Sequence, residues 1–440
     1  MSRPNLLNDP WFDALYTDGS TKSVGLGQAF EDLHEIYDVG EADPLLRVAI
    51  RRLLFAIDLA GGMRYLEGQA ERFSLEGATP FFSTTGLADR YPEFIRSEAQ
   101  LALFAAQKGS TLLDQRTSGA DSAASVSWRR VLVDLLVHQS WAPGGLLSAP
   151  KDDGSIYKSA VGAPLSNRVS AWVVGPDLFT AFGIMSSILT PIPQGDKPTW
   201  ALLAGSKDER GAPGGLPRAR PVRGPIDALT WVPRRVELLG TAQGCSQVVV
   251  FDGDRPSDGW GDLPDMIWVG SGGRSIPAAI SPGQGLEGVL CLAGGDRLAQ
   301  AVVSRGLRGH CFIEVTGMPH KQKAIHGSCS GVVRVLDATS LHRCQALGEL
   351  DRQLDRLPDL GEGTASTRAK ALRGILEEGC SEDSLDAYVE AVLGAMRGEE
   401  SWGSDPTAVE EEHSWSENTT RRALRLIDKA VSTGFEGEVV

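Results

Sequence analysis

The spacing of apolar residues changes period along the chain, and each change predicts an element. Near the start, two short runs flank Asp18-Gly19, a pair that favours the tight turn of a β-hairpin. Asp43-Pro44 then supplies a helix start, and Leu46, Ala49, Leu53 and Ile57 recur at helical spacing until Gly61-Gly62 stops the segment. Arg51 and Arg52 fall off that stripe and are expected on a solvent-facing side. Residues 79–82 form an apolar plug in a loop, and residues 91–107 read as a helix. The polar stretch 114–125 is expected to project as a loop. Residues 127–141 have helical spacing again, with Val131, Leu132, Leu135 and Leu136 inward, and end at Ala142-Pro143-Gly144-Gly145. A strand and a helix are predicted over 168–190, and short strands over much of 245–315. After residue 337 four helical segments follow, near 338–355, 365–378, 382–398 and 417–433. The stripes Leu385, Val389, Val392, Met396 and Leu424, Ile427, Val431, joined by short polar links, predict an antiparallel four-helix bundle.

At 440 residues the chain is too long for one ordinary core, so more than one domain is expected. The reading is α+β: a large mixed N-terminal domain with irregular loops and β-hairpins over 1–337, then the four-helix bundle over 338–440. A formal net charge of −14 excludes a protein that coats nucleic acid with its whole surface, while leaving room for local basic patches. The six cysteines are scattered without a C-x-x-C pair, which removes zinc-ribbon spacing and fits free thiols in a reducing compartment. No apolar run approaches a membrane span and no signal core opens the chain, so a cytoplasmic protein without a membrane partner is expected.

The stretch from His310 to Asp337 carries the most suggestive pattern. Two β-branched, apolar runs, 310–316 and 331–336, enclose Gly317, Pro319 and Gly327, which predicts a projecting hairpin. Its tip holds His320, Lys321, Gln322, Lys323 and His326, and no acid occurs between Glu314 and Asp337. In an acidic chain, such a tip suits contact with an anion, and the Gln322 amide can both donate and accept toward base edges or sugar. A second candidate is the glycine-bearing stretch after the 127–141 helix. There Gly144, Gly145 and Gly154 would allow close backbone approach to a ligand, and Lys151 and Lys158 could meet phosphates. Arg218, Arg220, Arg223, Arg234 and Arg235 against the single acid Asp227 form a second expected basic patch.

Enzyme-like motifs fail on context. Gly283 to Gly288 spells G-x-G-x-x-G, but Pro282 precedes it and a strand-like run follows it, the reverse of the strand-then-helix order that phosphate binding requires. Gly327-Ser328-Cys329-Ser330-Gly331 resembles a nucleophile elbow with cysteine as nucleophile, yet it lies between hairpin strands. His320, His326 and Cys329 lack a fourth metal ligand at a usual spacing. His34 and His138 sit in helical patterns and are expected to pack or face solvent. No catalytic residue, metal or cofactor is nominated, and a Cys329-dependent enzyme is the remote rival.

Several segments, in order, resemble one family. They are N-L-L-N-D-P-W at Asn5 to Trp11, P-F-F at Pro80 to Phe82, L-L-D-Q-R-T at Leu112 to Thr117, and A-P-G-G at Ala142 to Gly145 with Tyr157-Lys158-Ser159. P-T-W at Pro198 to Trp200 and L-T-W-V-P-R-R-V-E-L at Leu229 to Leu238 follow. Together they resemble CasA, the large (Cas8e-type) subunit of the type I-E CRISPR Cascade complex, over nearly the whole chain. The resemblance implies a non-catalytic subunit that reads the PAM of double-stranded target DNA through the minor groove. A glycine loop, a lysine finger and a glutamine-tipped wedge hairpin would do this, opening the duplex for R-loop formation. Gln322 aligns with the wedge glutamine, flanked by Lys321 and Lys323 beside His320. Implied partners are the crRNA-bound backbone, small and 5′-handle-binding subunits, the target DNA, and a downstream helicase–nuclease. The chain departs from the family in having no lysine between Lys207 and Lys321, which leaves Arg255 as a possible lysine-finger substitute. It is also short for the family, so a variant complex with a fused nuclease or a transposition module is the alternative effector arrangement.

Overall fold

The computed structural model describes residues 3–76, 80–103, 105–106, 114–117, 125–150, 156–166, 168–189, 191–202, 219–260, 265–267, 296–307, 309–318, 320–321, 324–325 and 328–334. The expected four-helix bundle and the glycine-rich 283–288 segment lie outside these residues. The chain divides into two units, Met1–Pro277 with Thr316–Ser330, and Ala278–Val315 with Gly331–Val440. The described elements mix helix and strand throughout, as an α+β chain does.

In the first unit the Asp18-Gly19 turn joins strands Phe12–Tyr16 and Thr21–Val24, which pair antiparallel with Leu15 opposite Thr21. Gly19 has a φ of 83°, the left-handed region such a turn demands. Strand Ile36–Val39 pairs on the other side of Phe12–Tyr16. Helix Pro44–Leu59 follows, with Asp43 accepting from the Leu45 N–H and proline at its first turn. Gly61 and Gly62, at φ of 122° and 60°, end it as expected.

This helix is not the amphipathic surface helix its stripe suggests. Nearly every residue from Leu45 to Ile57 is buried, including Arg51 and Arg52. Both arginines were expected in solvent. Instead Arg51 forks onto Asp38 through its Nε, 2.8 Å from Oδ1, and a second bond from Nη2, while Arg52 pairs with Asp265 and donates to the Ala228 carbonyl at 2.9 Å. Buried charge requires such partners. They come from a neighbouring strand and from more than two hundred residues downstream, which is why helical spacing alone misplaces these two side chains.

Helix Trp128–Trp141 packs against Pro44–Leu59, with Ser127 as its N-cap and the Trp141 indole donating to the Leu45 carbonyl at 3.1 Å. Strand Val169–Val174 and helix Leu178–Ser187 form as predicted. The apolar plug is also present: Phe81 and Phe82 join Phe73 around Trp200, with ring centroids between 4.5 and 5.9 Å apart. Among the described residues of 91–107 the expected helix is absent. Short 3-10 turns at Pro92–Phe94 and Glu98–Gln100 flank strand Arg96–Ser97, which pairs with the edge of Gly244–Asp252. There Tyr91, Phe94 and Ile95 pack onto the buried Leu87, Val249 and Phe251. Burial against a sheet overrides local helical spacing.

In the second unit the described residues include helix Asp296–Ser304, within a region read as strands from sequence. Leu298, Ala299, Ala301 and Val302 are its buried face. Its spacing of apolar residues is helical, but the surrounding β-rich texture obscured so short a segment. Among the described residues no helix is long and apolar enough to cross a membrane.

Candidate nucleic-acid interface

The hairpin expected at residue 310 onward is present. Its arms are Phe312–Gly317 and Cys329–Arg334, and the Thr316 and Ser330 hydroxyls lie 3.2 Å apart across them. Ile313, Val315 and Thr316 are buried, whereas Phe312 and Val332 are exposed. Beyond the arms an inner ladder pairs His320–Lys321 with Ala324–Ile325, His320 opposite Ile325 and Lys321 opposite Ala324. That register leaves a two-residue connection, the shortest common hairpin loop. Gln322 and Lys323, which fill it in the sequence, lie outside the described residues, as does His326. Cys329 begins a strand rather than sitting at a strand-to-helix turn, so the backbone setting of a nucleophile elbow is missing there.

The glycine-bearing stretch is a second hairpin, Gly145–Pro150 with Ile156–Ala160, Gly145 opposite Ala160 and Ser148 opposite Lys158. Gly154 lies outside the described residues. Gly145 is exposed with a φ of 149°, a conformation glycine adopts most readily. Gly144 is needed for a different reason: a Cβ there would stand 2.9 Å from the Gly162 nitrogen and 3.1 Å from the Ala160 carbonyl oxygen. Gly162, which the sequence reading passed over, forms the other side of that approach, and a Cβ on it would require the Ser166 hydroxyl to turn aside. The Ala163 N–H donates to the Ala142 carbonyl at 2.8 Å and locks the two segments together. V-G-A-P, a glycine two residues before a proline, was the available signal.

Of the arginines expected to form a basic patch at 216–236, Arg220, Arg234 and Arg235 are instead committed to partners within the chain. Arg220 forks onto Asp227 at 2.6 and 3.0 Å, reaches Asp254 at 2.8 Å, and lies 3.8 Å over the Trp231 ring. Arg234 is buried against Asp252, and burial pushes its guanidinium down to about 10. Arg235 donates to the Asp252 carbonyl at 2.9 Å. Counting acids within the segment misled, because Asp252 and Asp254 come from the paired strand and its following turn. Arg218 lies outside the described residues.

Arg255, the proposed lysine-finger substitute, is about one-third exposed and is held by Asp252 through contacts of 2.9 and 3.3 Å. Next to it, Pro256, Trp260, Arg168 and the 161–166 loop line a cavity of about 240 Å³. Trp260 stands edge-on to Trp231 at 5.3 Å, and the Arg168 guanidinium is 5.7 Å from the Trp260 ring centre. Burial, reinforced by Arg52, pushes Arg168 down to about 10. His138 packs inside, its Nδ1 3.0 Å from the Leu101 carbonyl, and His34 lies at the surface against Phe179. Among the described residues no cluster of His, Cys, Asp and Glu could hold a metal.

An α+β chain with a lysine-bearing hairpin and a glycine-locked second hairpin is the class these features define. The family model for the CRISPR-associated protein Cse1 matches residues 5–60 and 62–274, and the chain belongs to that family. The CRISPR-associated protein CasA/Cse1 of Thermus thermophilus is 24% identical over 421 residues, which cover 85% of this chain and 80% of that protein. The crystal structure of Thermus thermophilus CasA is similar at a TM-score of 0.63 and 19% identity, covering 98% of this chain and 99% of that one. A chain of a CRISPR RNA-guided surveillance complex, in a pre-nicking state, is similar at a TM-score of 0.67 and 14% identity, with both chains covered fully.

Proposed function

We propose that this protein is the large subunit of an RNA-guided type I-E Cascade surveillance complex, reading the PAM of double-stranded DNA and wedging the duplex open beside it. The observation that carries the reading is the hairpin, whose inner ladder leaves Gln322 and Lys323 as a two-residue connection beyond Lys321. Separating a base pair costs a few kcal/mol of unstacking, which an inserted side chain and the growing guide heteroduplex offset. Lys321 and Lys323 supply phosphate contacts that fix the register, and Gln322 fills the gap. The glycine-bearing segments at Gly144, Gly145 and Gly154, with Lys158 and Arg255, bring backbone and charge to the minor groove. Base pairing carries the rest of the sequence information, so the subunit itself needs no chemistry and acts without catalysis. Family membership supports the assembly role, with crRNA-bound subunits as partners and a helicase–nuclease recruited afterwards.

The test is the reconstituted complex with guide RNA, wild type against Gln322→Ala, on a full duplex and on a target pre-opened beside the PAM. The variant is expected to bind the duplex about tenfold or more weakly and the opened target as wild type does. Equal binding of both targets by both proteins would remove the wedge assignment.

A further inference from the structure

Two glycine-bearing segments approach so closely that a Cβ on Gly144 would stand 2.9 Å from the Gly162 nitrogen. Besides the hydrogen bond from the Ala163 N–H to the Ala142 carbonyl, one buried side chain touches both segments. The Arg234 guanidinium donates through Nη1 to the Val161 carbonyl at 2.7 Å and through Nη2 to the Pro143 carbonyl at 3.1 Å. Each carbonyl belongs to the residue just before one of the two glycines. Arg234 is itself held from the far side: its N–H donates to Gln139 Oε1 at 3.2 Å, and Gln139 Nε2 donates to the Arg234 carbonyl at 2.9 Å.

The counter-ion adds a second connection. Asp252 presents one carboxylate oxygen to Arg234 Nη1 at 3.5 Å and the other to Arg255 Nη2 at 2.9 Å. Its residue is fully buried, whereas the Arg255 guanidinium reaches solvent. One carboxylate therefore joins a buried arginine that sets the glycine segments to a partly exposed arginine beside them. The Asp252-Gly253 backbone leaves no slack, since a Cβ on Gly253 would stand 2.7 Å from the Pro233 carbonyl carbon and 2.8 Å from the Arg234 nitrogen.

We propose that Arg234 and Asp252 are positioning residues for DNA reading: Arg234 sets the distance between the Pro143–Gly144 and Val161–Gly162 backbones, and Asp252 holds Arg255 in register with them. This rests on the proposed function of the glycine-bearing segments. Neither residue touches DNA. A planar fork is required at 234, because a lysine ammonium is a point donor on a flexible stem and does not hold two divergent carbonyls at once. At 252 the charge is required, because an amide of the same shape loses the ionic hold on Arg255.

Arg234→Lys and Asp252→Asn would be assembled into the complex with guide RNA, and assembled particles alone assayed on target duplexes randomised at the PAM. The readout is the ratio of affinities between the preferred and the average PAM. Each variant is expected to lower that ratio about tenfold, since a reading surface tolerates only sub-ångström misplacement. A purely structural role would lower assembly yield or melting temperature and leave the ratio of the assembled particles unchanged, and that result overturns the proposal. Should Arg234→Lys fail to assemble, Asp252→Asn decides by the same criterion. If the wild-type complex itself shows no PAM preference, the proposed function fails rather than the positioning role.

Discussion

At the scale of single residues, two buried titratable groups give stability opposite dependences on pH. Burial, with Arg234 nearby, pushes His138 down to about 3, so on acidification from about 6.5 the unfolded chain takes up a proton that the folded one refuses. Stability from this group is therefore lost as pH falls. Burial pushes Asp252 up to about 6 against the pull of Arg234, so between about 4 and 6 the folded chain holds a proton that the unfolded one has released. Its contribution grows as pH falls. Relative to wild type, His138→Gln should gain stability steadily below pH about 6.5, and Asp252→Asn should lose it between about 6 and 4. Urea denaturation at half-unit pH intervals measures both differences, and variant curves parallel to wild type would show that neither group titrates as described. Asp252 also shows why charge counted along a segment is a poor guide. Three arginines, 234, 235 and 255, converge on one residue that the local tally of 216–236 leaves out.

At the scale of elements, helix Pro44–Leu59 decides much of the fold, and its charged side chains carry a testable cost. Arg52 ties it to the 225–229 helix through the Ala228 carbonyl and to Asp265, which adjoins strand Met266–Ile267. Replacing Arg52 by methionine leaves Asp265 buried without its main counter-ion, expected to cost about 3–5 kcal/mol in denaturant unfolding. Replacing both, Arg52→Met with Asp265→Leu, should recover much of that loss, because an apolar pair needs no desolvated charge to be matched. A double variant no more stable than the single one would mean the helix position depends on the ion pair itself. The helix was legible in sequence from its cap, its proline and its terminal glycines, all local signals. Its burial was not, because a stripe of Leu46, Ala49, Leu53 and Ile57 names one buried face, and here the remaining faces are covered by elements distant in sequence. Residues 91–107 failed for the same reason: strand Arg96–Ser97 exists through pairing with Gln247 and Val248, which no local window contains. The hairpin arms at Phe312–Gly317 and Cys329–Arg334 were legible because turn formers and β-branched runs both sit within one window. Gly162 was missed because its backbone nitrogen is the atom that a Cβ on Gly144 would meet, an approach that appears only once the 145–160 hairpin closes.

At the scale of the whole molecule, the proposed DNA reading asks a chain of net charge −14 to meet a polyanion through very few side chains. Among the described residues several arginines that looked available are committed internally: Arg51 and Arg52 in the central helix, Arg220 and Arg234 beyond it. In the sequence, the positive charge of the proposed interface is concentrated in Lys321 and Lys323, with no acid from 315 to 336 to oppose them. Each lysine neutralising a phosphate releases a condensed counter-ion and adds about 0.9 to the salt slope of duplex binding. Lys321→Ala with Lys323→Ala in the assembled complex should therefore reduce the slope of log K against log salt by about 2, weakening binding on every PAM alike. Gln322→Ala should leave that slope untouched, because an amide displaces no counter-ion, while failing on closed duplex. Titrations at four salt concentrations separate the two effects. A slope unchanged by the lysine pair would mean the tip never meets the phosphates, and duplex opening would have to be sought elsewhere on the chain.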